Sequence, residues 1–286
     1  SLNLYRTGDG GNAYRQIPMK KEEKAVWSWE TKEELHGVYY DYVIIRDGEE
    51  VLSADPYAKA CGVNGKRSMA VNLKKTNPEG WEKDQAPEES RERIVYELHV
   101  KEFSWDKAGG FPEEYRGKYK AFTCRHTTLN EDGIHPTGLD YLKELGVTHI
   151  QVMPMYDYGS VNEAGEDTEF NWGYDPVNYN VPEGSYATDA RNGEVRIREM
   201  KEMIQAIHEA GFGVIMDVVY NHIHWIPGFS ELRLGIFTVY FRMEQFPTAL
   251  LVEMMWQAKE RCAQNIFWNR CFTGQRNITL MDFALI

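Results

Sequence analysis

Residues 170–188, FNWGYDPVNYNVPEGSYAT, have the residue types best suited to binding a ligand. These nineteen residues contain three tyrosines, one tryptophan, one phenylalanine and three asparagines. Aromatic rings can stack on the apolar faces of sugar rings, while amides and hydroxyls can hydrogen-bond to the sugar hydroxyls. The whole chain is 13% aromatic, with 17 Tyr and 8 Trp, which agrees with sugar binding. A tyrosine-rich core explains the same composition equally well.

Other polar residues follow two apolar segments that are predicted to be buried strands. Tyr156 and Asp157 come after VTHIQVMPM, and Asn221 and His222 close GVIMDVVYNH. Parallel α/β enzymes place their chemistry at the carboxyl ends of strands. We therefore expect these side chains to meet at one edge of a sheet, together with the aromatic stretch.

The segments that position these residues alternate between strands and helices. IVYELHVKEFS is the first predicted strand, and HPTGLDYLKELG predicts a helix with Thr137 as N-cap and Gly146 as its end. Residues 196–210 predict a second helix, since Ile197, Met200, Ile204 and Ile207 share one stripe. The order strand, helix, strand, long loop, helix, strand predicts a parallel sheet that is covered on both faces.

Residues 1–85 predict a different architecture. SLNLYR, AVWSWE and GVYYDYVIIRDG are short, alternating or aromatic-rich runs, separated by turns such as TGDGGN. This pattern is typical of a small all-β sandwich. DQAPEESRER then predicts a linker to the α/β part.

Composition argues against several classes of partner. A net charge of −12 is unfavourable for nucleic acid, and no apolar run approaches the roughly 20 residues of a membrane span. The cysteines show no CxxC spacing, so neither a zinc site nor a disulfide framework is indicated; they are Cys61, Cys124, Cys262 and Cys271. No signal-peptide pattern precedes the first strand, and the start looks truncated. A cytoplasmic location is slightly favoured over a secreted one.

Several motifs resemble one enzyme family. DVVYNH, residues 217–222, resembles the first signature of the α-amylase superfamily, glycoside hydrolase family 13. VMPMYDYGS followed by NWGYDPVNYNVPEGSYAT resembles the type I pullulanases more narrowly, although that group usually has Tyr at the position of Phe170. HPTGLDYLKELGVTHIQVMP and YELHVKEFS fit the same group. DPYAKACGVNGKRS and TNPEGW resemble its starch-binding-type sandwich.

The resemblance implies a fold and an activity. Residues 86–222 would be the first part, about three strands, of a TIM (β/α)8 barrel. Residues 1–85 would be a partial, all-β immunoglobulin-like sandwich that precedes it. The implied activity is retaining cleavage of α-1,6-glucosidic bonds in pullulan and branched α-glucans. No nucleic acid or membrane partner is implied. Calcium is common in the family and is a possible cofactor, but no Asp or Asn cluster in the sequence is specific enough to name a site.

The resemblance also implies roles for five residues. Tyr174 would stack on the sugar ring at the cleaved bond, with Asn171 and Trp172 shaping that part of the cleft. His222 would hydrogen-bond the same sugar. Asp217 would orient an arginine on the next strand. Each also has a structural interpretation, as a packed loop residue, a strand cap or a buried carboxyl group.

Catalytic residues are missing from the chain by the same comparison. A retaining glycosidase needs two carboxyl groups about 5–5.5 Å apart. The family places its nucleophile in a GFRFD-type motif on strand four, its acid after strand five and a further Asp after strand seven. Residues 223–286 contain no such motif. Their acidic residues stand in no recognisable setting; they are Glu231, Glu244, Glu253, Glu260 and Asp282. We therefore expect the chain alone to be inactive.

The tail, residues 223–286, is predicted to be out of frame. Codons can be chosen for residues 246–286 such that, when the first two bases are dropped, the remaining bases encode a different amino-acid sequence. That sequence resembles the family and ends in DGFRFD. The same shift from Ile223 permits SLDSWFQRTAPGY, another family-like stretch. We therefore expect a tail that does not form a fourth strand.

Two other functions fit the sequence less closely. One is a non-catalytic glucan-binding protein that uses aromatic residues of the N-terminal part, namely Trp27, Trp29, Tyr39, Tyr40 and Tyr42. Their alternation also fits a sandwich core. The other is a different family 13 activity, such as an isoamylase or a branching enzyme, which NWGYDPVNYNVPEGSY argues against.

Overall fold

The computed structural model describes residues 1–23, 26–46, 48–88, 92–167, 169–219, 223–224 and 282–285. Its fold is α/β, as expected, with an antiparallel sheet near the N-terminus and a parallel sheet after it. No helix among the described residues is long and apolar enough to cross a membrane. Short 3-10 turns connect the elements at Val63–Gly65, Leu73–Thr76, Trp81–Lys83, Lys107–Gly109, Glu113–Tyr115, Tyr119–Thr123 and Leu129–Glu131.

The N-terminal sheet forms from the runs predicted to be strands. Its strands are β1 (Leu2–Tyr5), β2 (Arg15–Ile17), β5 (Tyr39–Arg46) and β6 (Glu49–Ser53), in the order β2-β1-β5-β6. The strand β7 (Ser68–Met69) also pairs with β5, and β3 (Lys20–Lys21) pairs with β4 (Trp27–Ser28). AVWSWE thus supplies only a two-residue strand.

The aromatic residues of the N-terminal part have different environments. Tyr39 is 6% exposed and packs with Ile197 of the second helix. Trp29, Tyr40 and Tyr42 are partly buried around a small apolar cluster. Trp27 is 55% exposed. Most of these aromatic residues therefore pack in or against apolar clusters, whereas Trp27 is mostly exposed.

The parallel sheet has four strands in the order β13-β12-β9-β8. They are β8 (Val95–Leu98), β9 (His149–Val152), β12 (Gly213–Val218) and β13 (Asp282–Leu285). The helix α1 (Gly138–Glu144) lies between β8 and β9 in the chain, and α2 (Gly193–Glu209) lies between β9 and β12. The predicted alternation of strands and helices is confirmed, because parallel neighbours need such crossovers.

The expectation that the tail forms no fourth strand is wrong. β13 pairs in parallel with β12, from Ile215 opposite Asp282 to Val218 opposite Leu285. The free edge of β12 presents a row of N–H and C=O groups, and an extended apolar segment such as DFAL can satisfy them. Only the backbone of β13 is described.

The strand β8 is less buried than predicted. Val95 is 46% exposed and Tyr96 is 39% exposed. Among the described strands β8 pairs with β9 alone, so it is an edge strand.

The helices follow the predicted stripes, with different ends. α2 begins three residues earlier than position 196, because the Asn192 side chain accepts a hydrogen bond from the Glu194 N–H. Thr137 stands at the predicted N-cap of α1 but does not cap it. Its hydroxyl donates to the Gly109 carbonyl at 2.7 Å.

Candidate functional site

The aromatic stretch 170–188 divides into two parts in the structure. Its middle, β11 (Pro176–Pro182), is a fully buried strand that pairs antiparallel with β10 (Tyr156–Tyr158). The sequence predicted a loop here, which is wrong because residues 176–182 alternate between two packed faces. Residues 170–175, which we call the wall segment, precede β11 and keep exposed aromatic rings. The ligand-binding part of the stretch is therefore shorter than expected.

Tyr174 and Asp217 meet at the carboxyl end of β12. The Tyr174 hydroxyl donates a hydrogen bond of 2.7 Å to Oδ2 of Asp217. The Tyr174 ring is partly buried and packs against the main core of the parallel part. This contact joins two residues that were selected separately from the sequence, one in the wall segment and one in DVVYNH.

Asp217 has one carboxylate oxygen that accepts no hydrogen bond from the described residues. The residue is 0% exposed, and its Oδ1 has no hydrogen-bond partner among the described residues. Burial raises the pKa of this carboxyl group, and the hydrogen bond from Tyr174 lowers it less. A buried acceptor without a donor costs about 1–3 kcal/mol, so the site is suited to receive a further donor such as a guanidinium.

Asn171 braces the turn of the wall segment. Its amide nitrogen donates to Asp175 Oδ1 at 2.8 Å and to the Gly159 carbonyl at 2.9 Å, and its Oδ1 accepts from the Gly173 N–H at 2.9 Å. Gly173 has a φ of +88°, and a Cβ there would lie 2.7 Å from the Pro154 carbonyl oxygen. Asn171 thus shapes the loop through its amide, and the turn requires glycine.

The exposed rings of the wall segment are Phe170 and Trp172. They are 46% and 61% exposed, respectively. The Phe170 ring lies 4.7 Å from the His99 ring, measured between centroids. Trp172 offers an exposed aromatic surface two residues before Tyr174 in the chain, and an exposed ring can stack on a sugar.

His99 was missed in the sequence and supports the wall segment. It is 3% exposed and follows β8 at its carboxyl end. Its Nδ1 accepts from the Lys101 N–H at 3.2 Å, so Nε2 carries the proton and donates to the Asn171 carbonyl at 2.9 Å. The Tyr186 hydroxyl lies 2.9 Å from the same nitrogen. Burial lowers the His99 pKa, which favours this neutral form. The sequence feature that could have identified His99 is its position directly after a strand of the parallel sheet.

The remaining predicted residues lie beyond the described part of the chain. Asn221 and His222 are outside the described residues, as are Glu231, Glu244, Glu253 and Glu260. His224 is described, and its Nδ1 lies 3.3 Å from Asp175 Oδ2. The Asp175 carboxylate, which hydrogen-bonds it, raises the His224 pKa.

A buried ionic cluster holds the β10–β11 hairpin. It consists of Asp157, Glu163, Glu183 and Arg196. The Arg196 guanidinium binds both oxygens of Glu163, at 2.9 and 2.6 Å, and lies 3.6 Å from Asp157 Oδ1. Glu183 accepts from the Tyr158 N–H at 3.1 Å and from the Ser185 N–H at 2.8 Å. The cluster therefore ties β10, the end of β11 and helix α2 together.

Some carboxyl groups of this ionic cluster favour their protonated form in the folded chain. Three carboxyl groups have oxygen atoms within 4.8 Å of one another, and one guanidinium faces them. Burial raises the pKa of Glu183 to about 8, with a further contribution from the Glu163 charge. Burial likewise raises the pKa of Asp157 well above its usual range. Two of the three carboxyl groups thus favour the neutral form in the folded chain.

The same three carboxylates are the described residues that could hold a metal ion. Arg196, which is 0% exposed, already supplies a positive charge to them. Asp157 and Glu183 are both 0% exposed, so neither carboxyl group can contact a substrate. Its geometry fits a structural ion network and does not fit a pair of catalytic carboxylates.

The chain resembles known proteins over most of its length. A family model described as "Alpha amylase, catalytic domain" matches residues 130–227. A Bacillus subtilis pullulanase is 35% identical over 212 residues, which covers 73% of this chain and 28% of the relative. The chloroplastic pullulanase 1 of Arabidopsis thaliana is 33% identical over 245 residues, which covers 71% of this chain and 25% of the relative.

Solved structures give a similar result. A Paenibacillus barengoltzii pullulanase, crystallised with maltohexaose and α-cyclodextrin, superposes with a TM-score of 0.91 at 37% identity. That match covers 99% of this chain and 44% of the other chain. The chain therefore spans less than half the length of these relatives.

Proposed function

The chain belongs to the pullulanase group of the α-amylase family, and on that premise we propose that it is part of a debranching hydrolase. The proposed reaction is hydrolysis of α-1,6-glucosidic bonds in pullulan and other branched α-glucans. Support comes from the relatives, which are pullulanases, and from one solved relative that carries maltohexaose and α-cyclodextrin. NWGYDPVNYNVPEGSY disfavours an isoamylase or branching enzyme.

The assignment of the cleft rests on one hydrogen bond. Tyr174 donates to Asp217 at 2.7 Å, which fixes the wall segment at the carboxyl end of β12. Ligands bind at this end in parallel α/β folds. Trp172 stands exposed beside it, and Asn171 holds the turn. In the proposal Tyr174 and Trp172 face the sugar, and His222 adds a hydrogen bond to it.

The fold is proposed to be part of a larger one. β8, β9 and β12 are the first three strands of a (β/α)8 barrel, with β13 paired beside β12, and residues 1–85 are a starch-binding-type module with an immunoglobulin-like sandwich. The sequential order of the parallel strands supports the first assignment. The antiparallel sheet with buried aromatics supports the second. The catalytic part begins near residue 86.

The catalytic carboxylates are proposed to be absent from this chain. Asp217 Oδ1 would receive the arginine of a GFRFD-type motif, and its missing partner among the described residues fits the loss of that motif. We expect full-length chain to release no reducing ends from pullulan. Measurable hydrolysis, abolished in a variant of a tail acid such as Glu253→Gln, would contradict this.

The tail 223–286 is proposed to be translated out of frame. The α-amylase model matches residues up to 227, close to the point where family-like motifs end. In the shifted reading frame, the GFRFD motif is encoded at the end of the tail, at the positions that form β13. Sequencing the encoding DNA decides the question. An alternative frame there that encodes DGFRFD is expected, and its absence would end the hypothesis.

Glucan binding tests the main proposal. Affinity electrophoresis of the full chain in gels with and without pullulan should show retardation by pullulan. Trp172→Ala should remove the retardation, whereas Trp27→Ala, which alters a tryptophan of similar exposure on the two-stranded β3–β4 sheet, should retain it. Loss of retardation in Trp27→Ala alone would instead support the non-catalytic glucan-binding function of the N-terminal part.

A further inference from the structure

A cavity that the proposed cleft does not use is lined in part by Asp167, in the loop that leads into the wall segment. Its volume is about 870 Å³, and it is lined by loops that follow β8 and β10 and by the segment that leads into α2. The loop that follows β10 continues directly into the wall segment. The cavity therefore opens among the same set of loops as the wall segment.

Trp105 is the aromatic residue of this cavity. Its side chain is 45% exposed, and the Lys101 ammonium lies 4.4 Å from the ring centroid. Gly117, at a φ of +73°, lies against the ring, where a Cβ would come within 3.1 Å of it. These neighbours hold the ring in place, while almost half of it stays open to a ligand.

Lys101 connects Trp105 to the wall segment. Its ammonium donates to the carbonyls of Asp167 and Glu169 at 2.6 and 2.7 Å. Glu169 directly precedes Phe170, so one side chain contacts both the Trp105 ring and the base of the wall segment. Trp105, Phe170 and Trp172 are thus three exposed rings on connected loops.

Hydrogen bonds within the chain hold two basic side chains that line the cavity. Lys118 donates to Asp167 Oδ1 at 3.0 Å and to the Ser185 carbonyl at 2.9 Å, and its side chain is only 14% exposed. Arg116 is held by a 3.1 Å hydrogen bond from Nε to the Phe111 carbonyl. The whole lining contains six acidic residues, among them Asp106 and Asp167, and four basic ones. A lining with both signs of charge fits a neutral ligand with many hydroxyls better than an ion.

We propose that Trp105 and this cavity form an accessory subsite for an α-glucan chain that also contacts Trp172. The inference rests on the proposed function, since it extends the same binding face. Inner glucose units contact the wall segment, and outer units stack on Trp105 and hydrogen-bond to Lys118 and Asp167. Short oligosaccharides reach the first region only, and longer ones reach both.

Calorimetry with two oligosaccharides tests the subsite. Maltotriose and maltoheptaose are titrated into the full chain and into Trp105→Ala, Trp105→Phe and Trp27→Ala. Trp105→Ala should weaken maltoheptaose roughly tenfold, which is the loss of one stacked ring, and leave maltotriose within about twofold. Trp105→Phe should recover most of the affinity, and Trp27→Ala should bind both sugars like the parent.

The outcomes separate the subsite from the proposed function. If both sugars bind the parent and Trp105→Ala binds maltoheptaose equally well, the subsite is wrong and the proposed cleft stands. If Trp105→Ala weakens both sugars equally, Trp105 belongs to the inner site and the accessory subsite is again wrong. If neither sugar binds the parent chain, the proposed function and the subsite both fail.

Discussion

The wall segment and the ionic cluster both adjoin the β10–β11 hairpin, but they differ in their exposure to solvent. The wall segment presents Phe170 and Trp172, each about half exposed or more, to solvent. The ionic cluster, Asp157, Glu163, Glu183 and Arg196, has no member more than 7% exposed. One therefore offers surface to a ligand, and the other fixes the backbone that carries that surface. Substitutions should separate the two roles, since the first set affects binding and the second affects folding.

Arg196→Met should have the largest effect. It removes the cation that both oxygens of Glu163 contact and leaves buried carboxyl groups without compensation. Breaking a buried ion pair in this way costs about 3–5 kcal/mol of unfolding free energy. Urea unfolding followed by circular dichroism measures the loss. The control is Arg198→Met on the same helix, which is partly exposed and should change stability by about 0.5 kcal/mol or less.

The ionic cluster should also make stability depend on pH. The folded-state pKa of Glu183 is raised to about 8 and that of Asp157 is raised too, so both stabilise the fold as neutral acids. The Glu183 contribution is complete below its unfolded-state pKa near 4 and is lost as pH rises to about 8, and the Asp157 contribution is likewise lost as pH rises. Thermal unfolding between pH 6 and 9.5 should show a falling midpoint. Asp157→Asn should reduce the fall, and an equal fall in this variant would contradict the assignment.

Tyr174→Phe should have an intermediate effect. It removes the donor to Asp217 and leaves a buried carboxyl group less satisfied, at a cost of about 1–3 kcal/mol. Asp217→Asn and the double variant complete a cycle, for which we expect a coupling energy of about 1 kcal/mol. Additive effects on the unfolding free energy would show that the contact contributes nothing to folding.

Trp172→Ala should have the smallest effect on folding. Its ring is 61% exposed, so unfolding free energy should change by about 0.5 kcal/mol or less while pullulan binding is lost. Parallel measurements of unfolding and of pullulan affinity check both halves of the statement. A loss of stability similar to that of Arg196→Met would mean that the wall segment is part of the core.

The two regions also differ in how far the sequence predicted them. The wall segment is contiguous, so its rings, amides and Gly173 could be identified together. The ionic cluster joins positions 157, 163, 183 and 196, which no local pattern relates. Buried carboxyl groups look the same in a sequence as exposed ones. His99 was hidden for the same reason, since its partner Asn171 is distant in the chain.

The fold was predictable where periodicity is strong. The α2 stripe and the buried strands β9 and β12 follow from it. β11 was not predicted, because Asn and Pro in PVNYNVP suggest turns while pairing with β10 decides its conformation. β13 was not predicted either, since the unpaired edge of β12 determines what pairs with it more than the tail's own sequence does.

Amide hydrogen exchange of the full chain with and without maltohexaose tests the central claim most directly. That claim is that the wall segment is one side of an α-glucan cleft. We predict slower exchange on adding the sugar in peptides that cover residues 169–175, and unchanged exchange in residues 26–30, which contain the exposed Trp27. Protection confined to the N-terminal sheet, or none in residues 169–175 at saturating sugar, would contradict it.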